Sequence, residues 1–218
     1  MSAKQAAKKQ PVLGVSGLIK KFGDHTVLSD VGFAVKAGRA AVLVGPNGSG
    51  KTTVLRCVTG ADPADEGEVR IGGELYDDRS PSIRSAMAVV MDDIDFFPDL
   101  TVVEHLDLYA RAHRVPDADG LVDDVMREVG LFAQAAQLPG SLSSGQRRRL
   151  ALAGAFVRPR RLLILDEPEQ RLDEEGTDWL IERLKREKRE GLAVLFASHS
   201  TRLVEALADD VITLGGES

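Results

Sequence analysis

Ala40-Ala41-Val42-Leu43-Val44-Gly45-Pro46-Asn47-Gly48-Ser49-Gly50-Lys51-Thr52-Thr53 is an apolar run that empties into a glycine-rich loop and then into a lysine and two threonines. The apolar run has strand composition, and Lys51 to Thr59 reads as a helix with Gly60 as its stop. Gly45 to Thr52 fits G-x-x-x-x-G-K-[ST]. Glycines let such a loop turn its N–H groups inward around phosphate oxygens, and the helix that follows points its positive end at the same place. In that arrangement Lys51 reaches the terminal phosphates and the Thr52 hydroxyl ligates a divalent cation. A chance glycine turn would produce the pattern in a chain of this size about one time in a hundred, and chance does not also place it between a strand and a helix.

Working outward, Leu162-Leu163-Ile164-Leu165-Asp166-Glu167 is a second buried strand, ending in two acids. Ligands of open α/β sheets sit at the carboxyl ends of strands. Asp166 is therefore placed to hold Mg²⁺, and Glu167 to act as general base toward a water attacking the γ-phosphate. Alone, such a pair reads as a solvated turn or a helix cap; downstream of a phosphate loop it reads as the other half of the site.

Around these two strands the chain is β-rich and then mixed. Val12 to Ile19 and Thr26 to Val35 read as strands about a Gly23-Asp24 turn, Glu68 to Ile71 and Met87 to Met91 as further strands. Helices are expected over Val102 to Ala112, Leu121 to Val129, Ser143 to Arg158, Asp173 to Glu190 and from Thr201, with His113 to Gly120 as a loop. The long helix offers pairs such as Glu182 and Arg186. Strands Ala193 to Ser198 and Val211 to Leu214 complete an alternation that argues for a parallel α/β core. The fold class is thus α/β: a P-loop core with an N-terminal antiparallel β region and a helical insertion at about 92–142, all within one domain over 11–218. Residues 1–10 read as a solvated, disordered leader.

The 218 residues carry a net charge of −6 and a single cysteine, Cys57, which excludes an intrachain disulfide and argues against nonspecific nucleic-acid binding. The longest apolar run, Leu150 to Val157, is eight residues, whereas a membrane helix needs about 20.

With these motifs in this order, the chain resembles the ATP-binding cassette family over nearly all of 12–214. Leu142-Ser143-Ser144-Gly145-Gln146 is similar to that family's LSGGQ signature. The resemblance implies that Ser143, Ser144, Gly145 and Gln146 close over the γ-phosphate held by a second cassette in a head-to-tail dimer. A helix start with a serine cap is itself an anion site. The resemblance further implies that His199 is the switch histidine and that Phe22 stacks on adenine. It implies ATP and Mg²⁺ as ligands, held by Gly45, Pro46, Asn47, Gly48, Ser49, Gly50, Lys51, Thr52 and Thr53. The partners it implies are a second cassette, as homo- or heterodimer, and a separate transmembrane permease, with no nucleic acid. The implied location is the cytoplasmic face of the cell membrane.

Three departures stand against the family pattern. The Q-loop glutamine falls at Asp92, or one residue away at Met91 or Asp93, so that an acid becomes a candidate metal ligand. The signature's third residue is Ser144 in place of glycine. Gln170 and Arg171 replace small residues in a loop that crosses the dimer interface in the family, where Arg171 is expected to meet an acid of the partner. These departures leave room for a slow ATPase, or for one half of an asymmetric pair. The resemblance is also compatible with a cassette of a soluble assembly machine, a nucleic-acid-acting cassette or a regulator that binds ATP without hydrolysis. The six arginines between Gly145 and Arg161 read as a solvated helix face. Phe96-Phe97-Pro98 is open to two readings: packing inside the helical insertion, or, as the resemblance implies, the groove that receives a cytoplasmic helix of the membrane partner; both hold if Phe97 packs while Phe96 binds.

Overall fold

A computed structural model describes residues 10–92 and 95–215. Nearly all of the expected leader, and Asp93 of the Q-loop, lie outside the described residues. Two sheets organise the chain. The antiparallel one has the order β2-β1-β4-β5, from β1 (Leu13–Phe22), β2 (His25–Val35), β4 (Glu66–Ile71) and β5 (Glu74–Leu75). The β1–β2 ladder carries register shifts, and Asp30 in β2 has φ 56°. The second sheet is parallel, with the order β6-β7-β8-β3-β9: β6 (Met87–Val90), β7 (Leu162–Asp166), β8 (Ala193–Ala197), β3 (Ala40–Val44) and β9 (Asp210–Thr213).

Strand alternation sorts the parallel sheet's side chains into two cores. Leu163 and Leu165 of β7, with Val194 and Phe196 of β8, face the helices. Leu162, Ile164, Ala193 and Leu195 face the antiparallel sheet and helix α1 (Lys51–Thr59). Covered on both faces, β7 and β8 have no exposed position, which is why they read as continuous apolar runs. Each fully buried leucine contributes on the order of 2 kcal/mol.

The remaining helices are α2 (Pro81–Ala86), α3 (Val102–Ala112), α4 (Ala118–Glu128), α5 (Ser144–Phe156), α6 (Glu174–Arg189) and α7 (Thr201–Leu207). The bounds of α1 and α3 match expectation; α2 and the two-residue β5 were not expected from the sequence. The loop expected to run to Gly120 is shorter, because Asp117 accepts a hydrogen bond from Gly120 N and starts α4 three residues early. On α6 the expected Glu182–Arg186 pair does not form: Lys185 takes Glu182, and Arg186 reaches across to Glu128 of α4. Glu128 also pairs with Arg183, and Arg183 and Arg160 both pair with Glu187, so a partly buried ionic network fastens α4 and the exit of α5 to α6. Among the described residues no helix is long and apolar enough to cross a membrane.

Candidate functional site

The order β7-β8-β3 sets three carboxyl ends side by side. β3 delivers the phosphate loop, β7 delivers Asp166 and Glu167, and β8 delivers Ser198 and His199. The loop's apex, Pro46 to Gly48, is exposed, while Gly50 and Lys51 are buried beneath it. Backbone runs so close at Gly45 that an added Cβ would stand 2.5 Å from the Leu214 carbonyl oxygen. Helix α1 opens from Gly50 with no side-chain cap and no acid in its first turn, so its leading N–H groups stay available to an anion.

Lys51 is only 7% exposed. Its ammonium donates to the carbonyls of Gly45 and Pro46, both at 3.0 Å. The Ser49 hydroxyl is buried and has no hydrogen-bond partner among the described residues. Thr52 Oγ1 donates to Asp166 Oδ2 at 2.9 Å, so the two expected cation ligands already stand together. A glycine-rich loop before an uncapped helix start, a buried ammonium satisfied only by its own loop and an orphaned hydroxyl suit a polyphosphate. A hydroxyl–carboxylate pair beside them suits a hard divalent cation.

Glu167 has φ 45°, an uncommon conformation for a side chain with Cβ. Its amide donates to Ala197 O at 3.0 Å, and its carboxylate accepts from His199 N at 3.3 Å and lies 3.4 Å from His199 Nε2. Burial, and then the nearby charge of Glu169, push the Glu167 carboxyl above its ordinary value, with His199 acting the other way. Glu169 is itself held by the buried Ser198 hydroxyl. Neither Ser198 nor Glu169 was singled out from the sequence.

Ser143 caps α5 reciprocally: its hydroxyl accepts from Gln146 N, and Gln146 Oε1 accepts from Ser143 N. Ser143 and Ser144 are exposed at this turn. A Cβ at Gly145 would stand 2.8 Å from the Arg171 carbonyl oxygen, which shows how closely the loop after Glu167 passes. The structure thus joins Lys51, Thr52, Asp166, Glu167 and His199 in one cluster and sets the Ser143–Gln146 turn against the Arg171 loop. Phe22 is 52% exposed at the tip of β1, with the Lys20 ammonium 5.3 Å from its ring centroid. Asp92 lies 3.3 Å from the Arg171 guanidinium, so two of the three departures from the pattern meet each other within the chain.

Two expectations are corrected here. The arginines of α5 and its exit are not a solvated face: Arg148 is 3% exposed, and Arg149, Arg158 and Arg160 also donate to carbonyls inside the fold. The reading of the two phenylalanines is reversed as well. Phe96 packs on the helical core, and Phe97 is 54% exposed. Phe96 also lines a cleft of about 580 Å³ with Met87, Tyr109, Gly154, Arg158 and the fully buried His105. His105 Nε2 accepts from Phe97 N–H at 3.0 Å, which leaves Nδ1 to donate to Thr101 O at 2.9 Å.

Comparison with known proteins agrees with this geometry. The sequence profile of the family described as ABC transporter matches residues 28–170. The ABC transporter ATP-binding protein YdbJ of Bacillus subtilis (strain 168) is 37% identical, with 94% of this chain and 67% of that protein covered. The SkfA peptide export ATP-binding protein SkfE of the same organism is 35% identical, with 93% and 85% covered. A solved ATP-binding subunit of an ABC transporter superposes with a TM-score of 0.87 at 28% identity, covering 93% of this chain and 85% of that one.

Proposed function

This chain belongs to the ABC transporter family, and from that membership we infer that it is the ATP-hydrolysing cassette of a transporter whose permease is a separate polypeptide. The observation that carries the reading is the hydrogen bond from Thr52 to Asp166. It ties the phosphate loop to the acidic strand end, with Glu167 and His199 in contact beside it. Lys51 and the free backbone N–H groups of the loop between Gly45 and Thr53, Pro46 having none, hold the triphosphate. Thr52 and Asp166 would hold Mg²⁺, which when bound neutralises phosphate charge. Glu167 takes the proton of the attacking water, and His199 fixes the direction of that carboxylate. Asp92, engaged by Arg171, is left out of the cation site, and the charge that left room for a slow ATPase is met within the chain.

Two copies are proposed to pair head to tail, each Ser143–Gln146 turn covering the other's nucleotide and Phe22 stacking on adenine. The region around 92–142 serves as the helical part of one cassette. The cleft lined by Phe96, with Phe97 exposed at its side, supports docking of a permease helix, and with it a place on the cytoplasmic membrane face.

The test compares the purified chain with Glu167→Gln. Hydrolysis is expected to fall by roughly 10²–10⁴-fold, the usual range for a lost general base, while an ATP-dependent dimer accumulates in gel filtration. Undiminished turnover in Glu167→Gln would remove Glu167 from the chemistry.

A further inference from the structure

Arg148 sits one turn into α5, just past the Ser143–Gln146 turn, and is 3% exposed. Its guanidinium touches no carboxylate among the hydrogen bonds it makes. It donates from Nη2 to the carbonyls of Asp166 and Glu167, from Nε to Pro168 O at 3.2 Å, and from Nη1 to Met91 O at 2.9 Å. A buried cation is costly unless its donors are satisfied. Here the donors are committed to three consecutive peptide planes and to the segment that leads from β6 to Asp92. Those planes include Glu167, whose φ of 45° persists only where the surroundings impose it.

We propose that Arg148 is a positioning residue that locks the peptide planes of Asp166, Glu167 and Pro168 to α5 and so fixes the direction of the carboxylates at the end of β7. The inference rests on the ATPase reading above. Its physical content is the planar fork: a guanidinium spans three chain segments at fixed angles, and an ammonium is a point donor that cannot. Lysine keeps the charge and loses the span, so Arg148→Lys isolates the geometry, while Arg148→Gln removes the charge as well. Among the described residues every hydrogen bond of Arg148 goes to a backbone carbonyl, so its effect reaches the reaction through the placement of the Asp166 and Glu167 side chains.

The experiment measures hydrogen–deuterium exchange of the nucleotide-free chain, and kcat and KM for ATP, in the wild type and both variants. Exchange is expected to rise in peptides covering 164–172 and 88–92, with 42–58 around the phosphate loop unchanged. kcat is expected to fall about tenfold or more, as misplacing a catalytic group does, with KM within about twofold. Wild-type exchange and kcat in Arg148→Lys would overturn the proposal. So would a rise in exchange spread evenly over the chain, phosphate loop included, which marks a residue of general stability. A wild type that does not hydrolyse ATP defeats the ATPase reading instead, and the local exchange pattern still decides whether Arg148 locks the strand end. If Arg148→Gln fails to fold, Arg148→Lys carries the test.

Discussion

The phosphate loop and the loop after Asp166 face the same site and hold their shapes by opposite means. The first turns on glycines: Gly45, Gly48 and Gly50 take φ values of 153°, 80° and 93° that cost a glycine little. The second turns on residues that pay for it, Glu167 at φ 45° and Arg171 at φ 66°. It needs outside support, from the Arg148 guanidinium, from Ala197 O and from the pairing of Arg171 with Asp92. A loop made of glycine carries its geometry in its own sequence. A loop made of side chains borrows its geometry from elements that arrive much earlier or later in the chain.

The strongest way to break this contrast is to give the glycine loop a side chain. Gly45→Ala sets a methyl against the Leu214 carbonyl, which is backbone and cannot swing aside. A loss of about 1–3 kcal/mol, the range for overpacking, is expected in thermal unfolding, together with at least tenfold weaker ATP binding by calorimetry. Native affinity in that variant would mean that the loop tolerates what its contacts forbid.

A second test sharpens the other side. Because burial and Glu169 raise Glu167 above its ordinary 4.5, the acid limb of kcat should lie above that value, since a base works only when deprotonated. Glu169→Gln removes one of the causes that raise it and should shift the limb to lower pH. An unmoved limb would show that Glu169 does not act on the Glu167 carboxylate.

The smallest effect belongs to the outermost support. Asp92 and Arg171 are nearly half exposed, so their coupling in a double-mutant cycle should be about 0.2–1 kcal/mol and should shrink with added salt. A coupling several times larger, insensitive to salt, would make this pair a principal clamp rather than a trim.

The same contrast explains what could be read from the sequence. Gly45 to Thr52 was legible because its chemistry is local, and Asp166 and Glu167 because an unbroken apolar run ends at them. Arg148 was not legible. Of three adjacent arginines, which one turns inward depends on the phase of α5 against β7, and no local pattern contains that phase. The helix α2 has six residues, too few to show a period, and the early start of α4 hung on one carboxylate cap among residues that also read as a turn. Phe96 and Phe97 exchanged roles for a similar reason, since the His105 ring sits against both and sets their path.

The two sheets also bear on how such a chain survives at high concentration. Sheet edges are templates for adding foreign strands. Among the described residues, β5, β6 and β9 are edges of two, four and four residues, and the one long edge, β2, is broken by register shifts and by Asp30 at φ 56°. A stray β-segment finds no straight stretch of free ladder there on which to grow. Short or broken edges thus do the work that a proline or a row of lysines does in other sheets.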